Sequence, residues 1–168
     1  MKLLGLPGRK ASTQGQMVEL LGAVRLGQSE TAVQAYGFWG HEDVADPDVT
    51  GEASIAAESG AQMVIAKSIG TLVCVLAEER HGFAPARCVF YGVPLRRLEA
   101  KGELDLLVAH CRRTPTLIIQ QTADFNGAFA DLAARVSPWA HCVEVSGEDH
   151  LYSDIAPLAA AIEAWARG

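Results

Sequence analysis

The stretch that decides the fold is Met63-Val64-Ile65-Ala66-Lys67-Ser68-Ile69-Gly70-Thr71-Leu72-Val73-Cys74-Val75-Leu76-Ala77. Its first four residues form a short apolar run of the kind carried by a strand buried on both faces. From Ile69 to Ala77 the chain is apolar on every side until Glu78, Glu79 and Arg80 close it, which predicts a helix at the centre of the molecule. Between strand and helix there is room only for a tight turn with Ser68 at its tip. So sharp a turn leaves no space for side chains two residues before and two after the tip, which suits Ala66 and Gly70. Its strain pushes the Ser68 hydroxyl outward, and the amide of Ile69, at the helix N-terminus, points at any oxyanion formed there.

Reading outward, apolar runs at 3–6, 31–36, 87–91, 116–120 and 141–145 join the one at 63–66 as predicted strands. Helical patterns fill the intervals. Thr13 and Gln16 have capping-box spacing ahead of Met17, Leu20, Leu21 and Val24, and Gly27 stops that helix. Further helices are predicted over 69–77, 95–111, 125–135 and 155–167, the last with Ile155, Leu158, Ile162 and Trp165 on one stripe. The stretch 40–60 is acidic and carries no clear period. Strand and helix alternate throughout, so the expected class is α/β, a doubly wound six-stranded parallel sheet with helices on both faces. No repeat, low-complexity tract or linker divides residues 1–168, so a single domain is expected.

A chain of 168 residues with 49% hydrophobic and 20% charged side chains is long and apolar enough to bury a core without staples. Its net charge of −6 argues against a nucleic-acid surface, which needs clustered Lys and Arg, and favours a small-molecule partner. Arg9 and Lys10 interrupt the N-terminus too early for a signal-peptide core, and no apolar run is long enough to span a bilayer, so no membrane contact and a cytoplasmic location are expected. Cys74, Cys88, Cys111 and Cys142 form no CxxC pair and read as reduced core thiols. The five histidines are scattered singly, without metal-ligand spacing, so neither metal nor cofactor is expected.

The pattern small-x-Ser-x-small also occurs around Ser59, in Ala57-Glu58-Ser59-Gly60-Ala61, but Ser59 precedes a strand where Ser68 follows one. Lys67-Ser68 is not a phosphate loop, because Ala66 replaces the glycine that GxxxxGK requires. A serine nucleophile needs a base, and the base an orienting acid, each placed where it can converge on the hydroxyl. In a doubly wound sheet the converging positions are the loops leaving the strand C-termini. Asp124 follows the fifth strand in Gln121-Thr122-Ala123-Asp124, and His150 follows the sixth in Gly147-Glu148-Asp149-His150. The plainer readings are that Ser68 is a helix N-cap, that Asp124 caps a helix starting near Phe125, and that His150 is an idle loop histidine.

The order Ser, Asp, His on successive strand ends resembles that of the α/β-hydrolases, and the resemblance spans nearly the whole chain. It rests on the elbow at Ser68, the segment Leu117-Ile118-Ile119-Gln120-Gln121-Thr122-Ala123-Asp124 and the Gly-x-x-His turn ending at His150. The resemblance implies the sheet order 2-1-3-4-5-6, in which the two leading strands of larger members are missing. Winding reverses between strands 1 and 3, so the second oxyanion amide is expected from Gly8 or Arg9. The chain departs from the family pattern in three places. Ala66 stands where the first elbow glycine usually is, Pro7-Gly8 replaces the usual His-Gly, and Lys67 is uncommon beside the nucleophile and reads as solvent-facing.

No insertion is long enough for a lid, so the site is expected to be open. Trp39 and His41, after strand 2, are candidates to line the pocket, against a plainer role as packing anchors. Arg96 and Arg97, after strand 4, are candidates to attract a substrate carboxylate, against a solvated helix start. The expected activity is hydrolysis of a small carboxylic ester or thioester through an acyl-enzyme on Ser68. The competing readings are a non-catalytic relative that binds a ligand in the same crevice and, more weakly, a nucleotide binder, for which a Gly-rich phosphate loop is lacking.

Overall fold

The computed structural model describes residues 1–41 and 46–168. Its strands are β1 (Lys2–Leu6), β2 (Glu30–Val33), β3 (Met63–Lys67), β4 (Arg87–Tyr91), β5 (Thr116–Gln121) and β6 (His141–Val145). They form one parallel sheet in the order β2-β1-β3-β4-β5-β6, as expected. The helices are α1 (Thr13–Ala23), α2 (Thr50–Glu58), α3 (Ile69–His81), α4 (Leu95–Ala100), α5 (Leu104–Arg113), α6 (Phe129–Val136) and α7 (Ala156–Arg167), with a 3₁₀ turn at Gly37–His41. No helix among the described residues is long and apolar enough to cross a membrane.

Side chains alternate across a strand, so each inner strand feeds two cores. Met63 and Ile65 of β3 pack with Met17 and Leu20 of α1 and with Leu158 and Ile162 of α7. Val64 and Ala66 face the other way, toward Ala53 and Ala56 of α2 and Val73 of α3. Helix α3 lies under α2 and α5 on this second face, and the nine residues from Ile69 to Ala77 are all buried. That position explains why a helix apolar on every side is stable here.

The approach of α3 to β1 depends on Gly70. A Cβ there would stand 2.3 Å from the carbonyl oxygen of Leu6 and 2.8 Å from that of Pro7, both backbone atoms that cannot move aside cheaply. Gly70→Ala is therefore expected to destabilise the protein by about 3 kcal/mol. Thermal unfolding should show this as a melting temperature lower by roughly 6–12 °C. An unchanged melting temperature would mean that α3 can retreat from β1.

Several elements differ from expectation. The helix predicted over 95–111 is two helices, because Gly102 takes φ +68° and ends α4 before α5 begins. β2 ends at Val33 instead of 36; Gln34 turns to bond Glu52, and the Tyr36 hydroxyl donates to the carbonyl of Pro7 at 3.0 Å. Helix α2 was not foreseen, lying in the stretch 40–60, of which 42–45 fall outside the described residues. The Thr13–Gln16 capping box does not form: the Thr13 hydroxyl donates to the carbonyl of Lys10, and Gln16 reaches across to the loop after β6. The helix predicted from 125 starts at Phe129, after a turn. All four cysteines are free, and burial pushes the Cys111 thiol up to about 12, an inert protonated core group.

Candidate active site

Three loops meet at the C-terminal edge of the sheet. The first follows β3, where Ser68 has φ +50° and ψ −116°. A non-glycine residue held in this region costs of order 1–3 kcal/mol, so neighbouring bonds must fix it. The Ser68 amide donates to Tyr91 on β4 at 3.1 Å, and its carbonyl accepts from Thr71 at 2.9 Å. Although Ser68 occupies the N-cap position of α3, its side chain makes no capping bond. Its Oγ lies 3.0 Å from Nε2 of His150 instead.

The second loop, after β6, carries His150 at φ +60°. Its backbone N–H donates to Oε1 of Gln121 at 2.9 Å, which anchors the loop to the end of β5. The imidazole Nδ1 faces Asp124, 2.8 Å from Oδ2 and 3.0 Å from Oδ1. A carboxylate can only accept, so in the neutral ring Nδ1 carries the hydrogen and Nε2 is left to accept from the Ser68 hydroxyl.

The third loop, after β5, carries Asp124, whose side chain is fully buried. Its Oδ1 accepts from the amide of Asn126 at 2.8 Å, so it braces a turn and does not cap the later helix α6. Oδ2 accepts from the hydroxyl of Tyr152 at 2.8 Å, and that oxygen in turn accepts from the amide of Gln121 at 2.8 Å. Burial pushes the Tyr152 hydroxyl well above its ordinary pKa, which keeps it a donor. Sequence reasoning missed Tyr152; the only signal was an aromatic residue two places beyond the histidine. Gly92, at the end of β4 with φ +59°, makes room for this group, since a Cβ would stand 2.8 Å from the Tyr152 ring and 3.3 Å from Cε1 of His150.

Two clefts flank Ser68. One, of about 310 Å³, has Gly8, Arg9, His150, Phe125 and Leu151 in its walls; the other, of about 150 Å³, has Arg9, Ile69, Pro94, Arg97 and Asn126. Gly8, Arg9 and Ile69 thus stand beside the serine, where oxyanion donors would have to be. Phe125 and Leu151 are 55% and 59% exposed, an apolar rim on the larger cleft.

Three candidate binding residues lie elsewhere. Arg96 is exposed on a separate cleft between α4 and α6, because helical phase turns Arg97 toward Ser68 and Arg96 away. The Arg97 guanidinium is already held by Asp46 and Glu103, both at 2.8 Å. Trp39 is a packing side chain, half-buried against Tyr36 and the α2–α3 core, and it is absent from both clefts beside Ser68; His41 is exposed at the end of the 3₁₀ turn.

Lys67 does not face solvent. It is 4% exposed, and as the third odd-numbered residue of β3 it projects to the α1 and α7 face with Met63 and Ile65. Its ammonium donates to Oε1 of Gln16 at 2.5 Å and to the carbonyl of Leu151 at 2.6 Å. Burial lowers its pKa to about 8, against the opposing pull of Asp149 and Asp124. Asp149 itself is held below the usual carboxylate range, first by the side-chain NH₂ of Gln121 and then by the backbone N–H of Leu151. No group of three or more metal-ligating side chains occurs among the described residues.

No protein-family profile matches the sequence, and no curated protein is significantly similar. Solved structures are similar over almost the whole chain. The esterase domain of a Rhodothermus marinus protein superposes with a TM-score of 0.65 at 15% identity, covering 99% of this chain and 85% of that one. YbtT, a type II thioesterase of the yersiniabactin pathway, gives 0.62 at 16% identity, with 99% and 91% covered. The NocB thioesterase domain, solved as a covalent complex with a fluorophosphonate nocardicin G analogue, gives 0.60 at 15% identity, with 99% and 94% covered.

Proposed function

We propose that this chain, whose fold is that of the α/β-hydrolases, is a serine hydrolase that cleaves small carboxylic esters or thioesters. The observation that carries the reading is the unbroken hydrogen-bonded line from Ser68 Oγ through the His150 ring to the buried Asp124 carboxylate. In the proposed mechanism Ser68 attacks the substrate carbonyl and His150 takes its proton on Nε2. Asp124 holds the ring in that tautomer and stabilises the imidazolium. The amide of Ile69, with that of Gly8 or Arg9, receives the oxyanion. The imidazolium then protonates the departing alkoxide or thiolate, leaving an acyl group on Ser68. A water molecule, deprotonated by His150, releases the acid. The apolar rim of Phe125 and Leu151 offers contact to an alkyl or aryl group of the substrate. The names of the structural neighbours, esterase and thioesterase, point the same way.

The test is turnover of p-nitrophenyl esters and acyl thioesters of graded chain length. Hydrolysis that saturates with substrate supports the reading, and its absence across the series would favour a non-catalytic relative. The pH dependence adds a constraint. The rate should fall on acidification, because a protonated imidazole cannot accept the Ser68 proton. A rate independent of pH under acid, with chemistry limiting, would remove His150 from its role.

A further inference from the structure

We propose that Lys67, acting with Gln16, is a positioning residue for His150: it braces the base-bearing loop against the nucleophile turn, and full turnover requires its charged form. The inference rests on the serine-hydrolase reading above.

The loop after β6 needs bracing because His150 and Tyr152 both have left-handed backbones, at φ +60° and +56°, and neither is glycine. Such conformations persist only where the surroundings over-determine them. Leu151 between them is 59% exposed, so its side chain supplies little anchorage. Its carbonyl instead accepts from Lys67 Nζ at 2.6 Å and from Gln16 Nε2 at 2.9 Å, while the carbonyl of Tyr152 accepts from Gln16 Nε2 at 2.6 Å. Gln16 Oε1 closes the triangle by accepting from Lys67 at 2.5 Å. Lys67 directly precedes Ser68, so the brace sets the separation of the two loops across which Oγ meets Nε2.

The charge environment gives the brace a pH dependence. Asp149 and Asp124 are the anions that act on Lys67, and Arg9 and Lys10 stand in the same cleft; α1 offers the neutral Gln16, and the rings of Tyr91 and Tyr152 lie 5.8 Å and 5.9 Å from Nζ. Above about pH 8 the ammonium loses its proton. A neutral amine still has two hydrogens for its two acceptors, but the bonds lose their charge assistance. A triad alone gives a rate that stays level once the imidazole is neutral, whereas the brace adds a decline above pH 8. Stability moves oppositely. The folded pKa of about 8 lies below the ordinary 10.5, so the unfolded chain binds more protons between those values and this group's contribution to stability rises with pH there.

The experiment measures kcat, KM and the pH-rate profile for the full chain and for Lys67→Met and Gln16→Ala, using one aryl ester. Lys67→Met is expected to lower kcat at pH 7 by about tenfold with KM within about twofold, a cost of misplacement and not of binding. It should also remove the alkaline decline, which Gln16→Ala should keep while lowering kcat. Should Lys67→Met not fold, the decline above pH 8 in Gln16→Ala and in the unaltered chain carries the test. A level alkaline rate in the unaltered chain, or a decline that survives in Lys67→Met, overturns the brace while ester turnover leaves the hydrolase reading intact. Absence of turnover in the unaltered chain overturns both.

Discussion

Ser68→Ala is expected to lower turnover of an aryl ester by about a millionfold, the scale of loss when a nucleophile is taken from a working triad. Any remaining rate would come from the oxyanion amides and from substrate binding, which the change leaves in place. KM, or the affinity for a non-hydrolysable analogue, should move little. The protein should stay folded, because the change removes one hydrogen bond, 3.0 Å long, at the rim of a cleft. Such a bond is worth about 1 kcal/mol, or roughly 2–4 °C of melting temperature. Ser68→Gly offers a sharper variant. Glycine loses the same hydrogen bond but relieves the φ of +50° that alanine would still have to tolerate, so activity should vanish while the melting temperature stands above that of Ser68→Ala. An inactive protein more stable than Ser68→Ala would show that the strain is kept for function. Ordinary turnover in either variant would exclude Ser68 as nucleophile.

Asp124→Asn should cost about ten-thousandfold in turnover, as it does where a triad carboxylate is replaced by its amide. The structure gives the reason atom by atom. Oδ1 accepts from the amide of Asn126, a bond the asparagine carbonyl can keep, so the turn survives. The new NH₂ then stands where Oδ2 stood, 2.8 Å from both His150 Nδ1 and the Tyr152 hydroxyl. There it donates to Nδ1, which moves the ring hydrogen to Nε2 and leaves Ser68 without an acceptor. Tyr152, which also accepts from Gln121, can turn its hydroxyl to receive the second hydrogen. The melting temperature should therefore fall by only a few degrees while turnover collapses. Near-normal turnover would mean that the acid lies elsewhere, and a large loss of stability would show Asp124 to be chiefly structural.

Much of the fold was legible because burial leaves its mark on composition. The inner strands read as unbroken apolar runs, α3 reads as a helix apolar on every side, and the sharp change between them at Ser68 marks the strand-to-helix turn. Helix α2 escaped notice because small residues pack it: Ala53 and Ala56 are fully buried, and the buried Glu52 is held by Gln34 and the amide of Gly37, so no large apolar stripe forms. The break at Gly102 needed one glycine to be read as a stop. At the site, Ser68, Asp124 and His150 were placed by chain order, which a parallel sheet converts directly into proximity. Their supports were not. Tyr152 and Gln16 act through contacts more than two dozen residues apart in sequence, and nothing local announces them. Lys67 was misjudged because the strand was ended at 66; one residue more, and the alternation along β3 turns it inward.

The most direct measurement is to treat the folded protein with a fluorophosphonate and locate the adduct by peptide mapping, because only an activated serine reacts faster than the reagent is hydrolysed by water. The account predicts one label per chain, on Ser68, absent from Ser68→Ala and slowed in Asp124→Asn. A label on Ser59, or none on a protein shown to be folded, would contradict it.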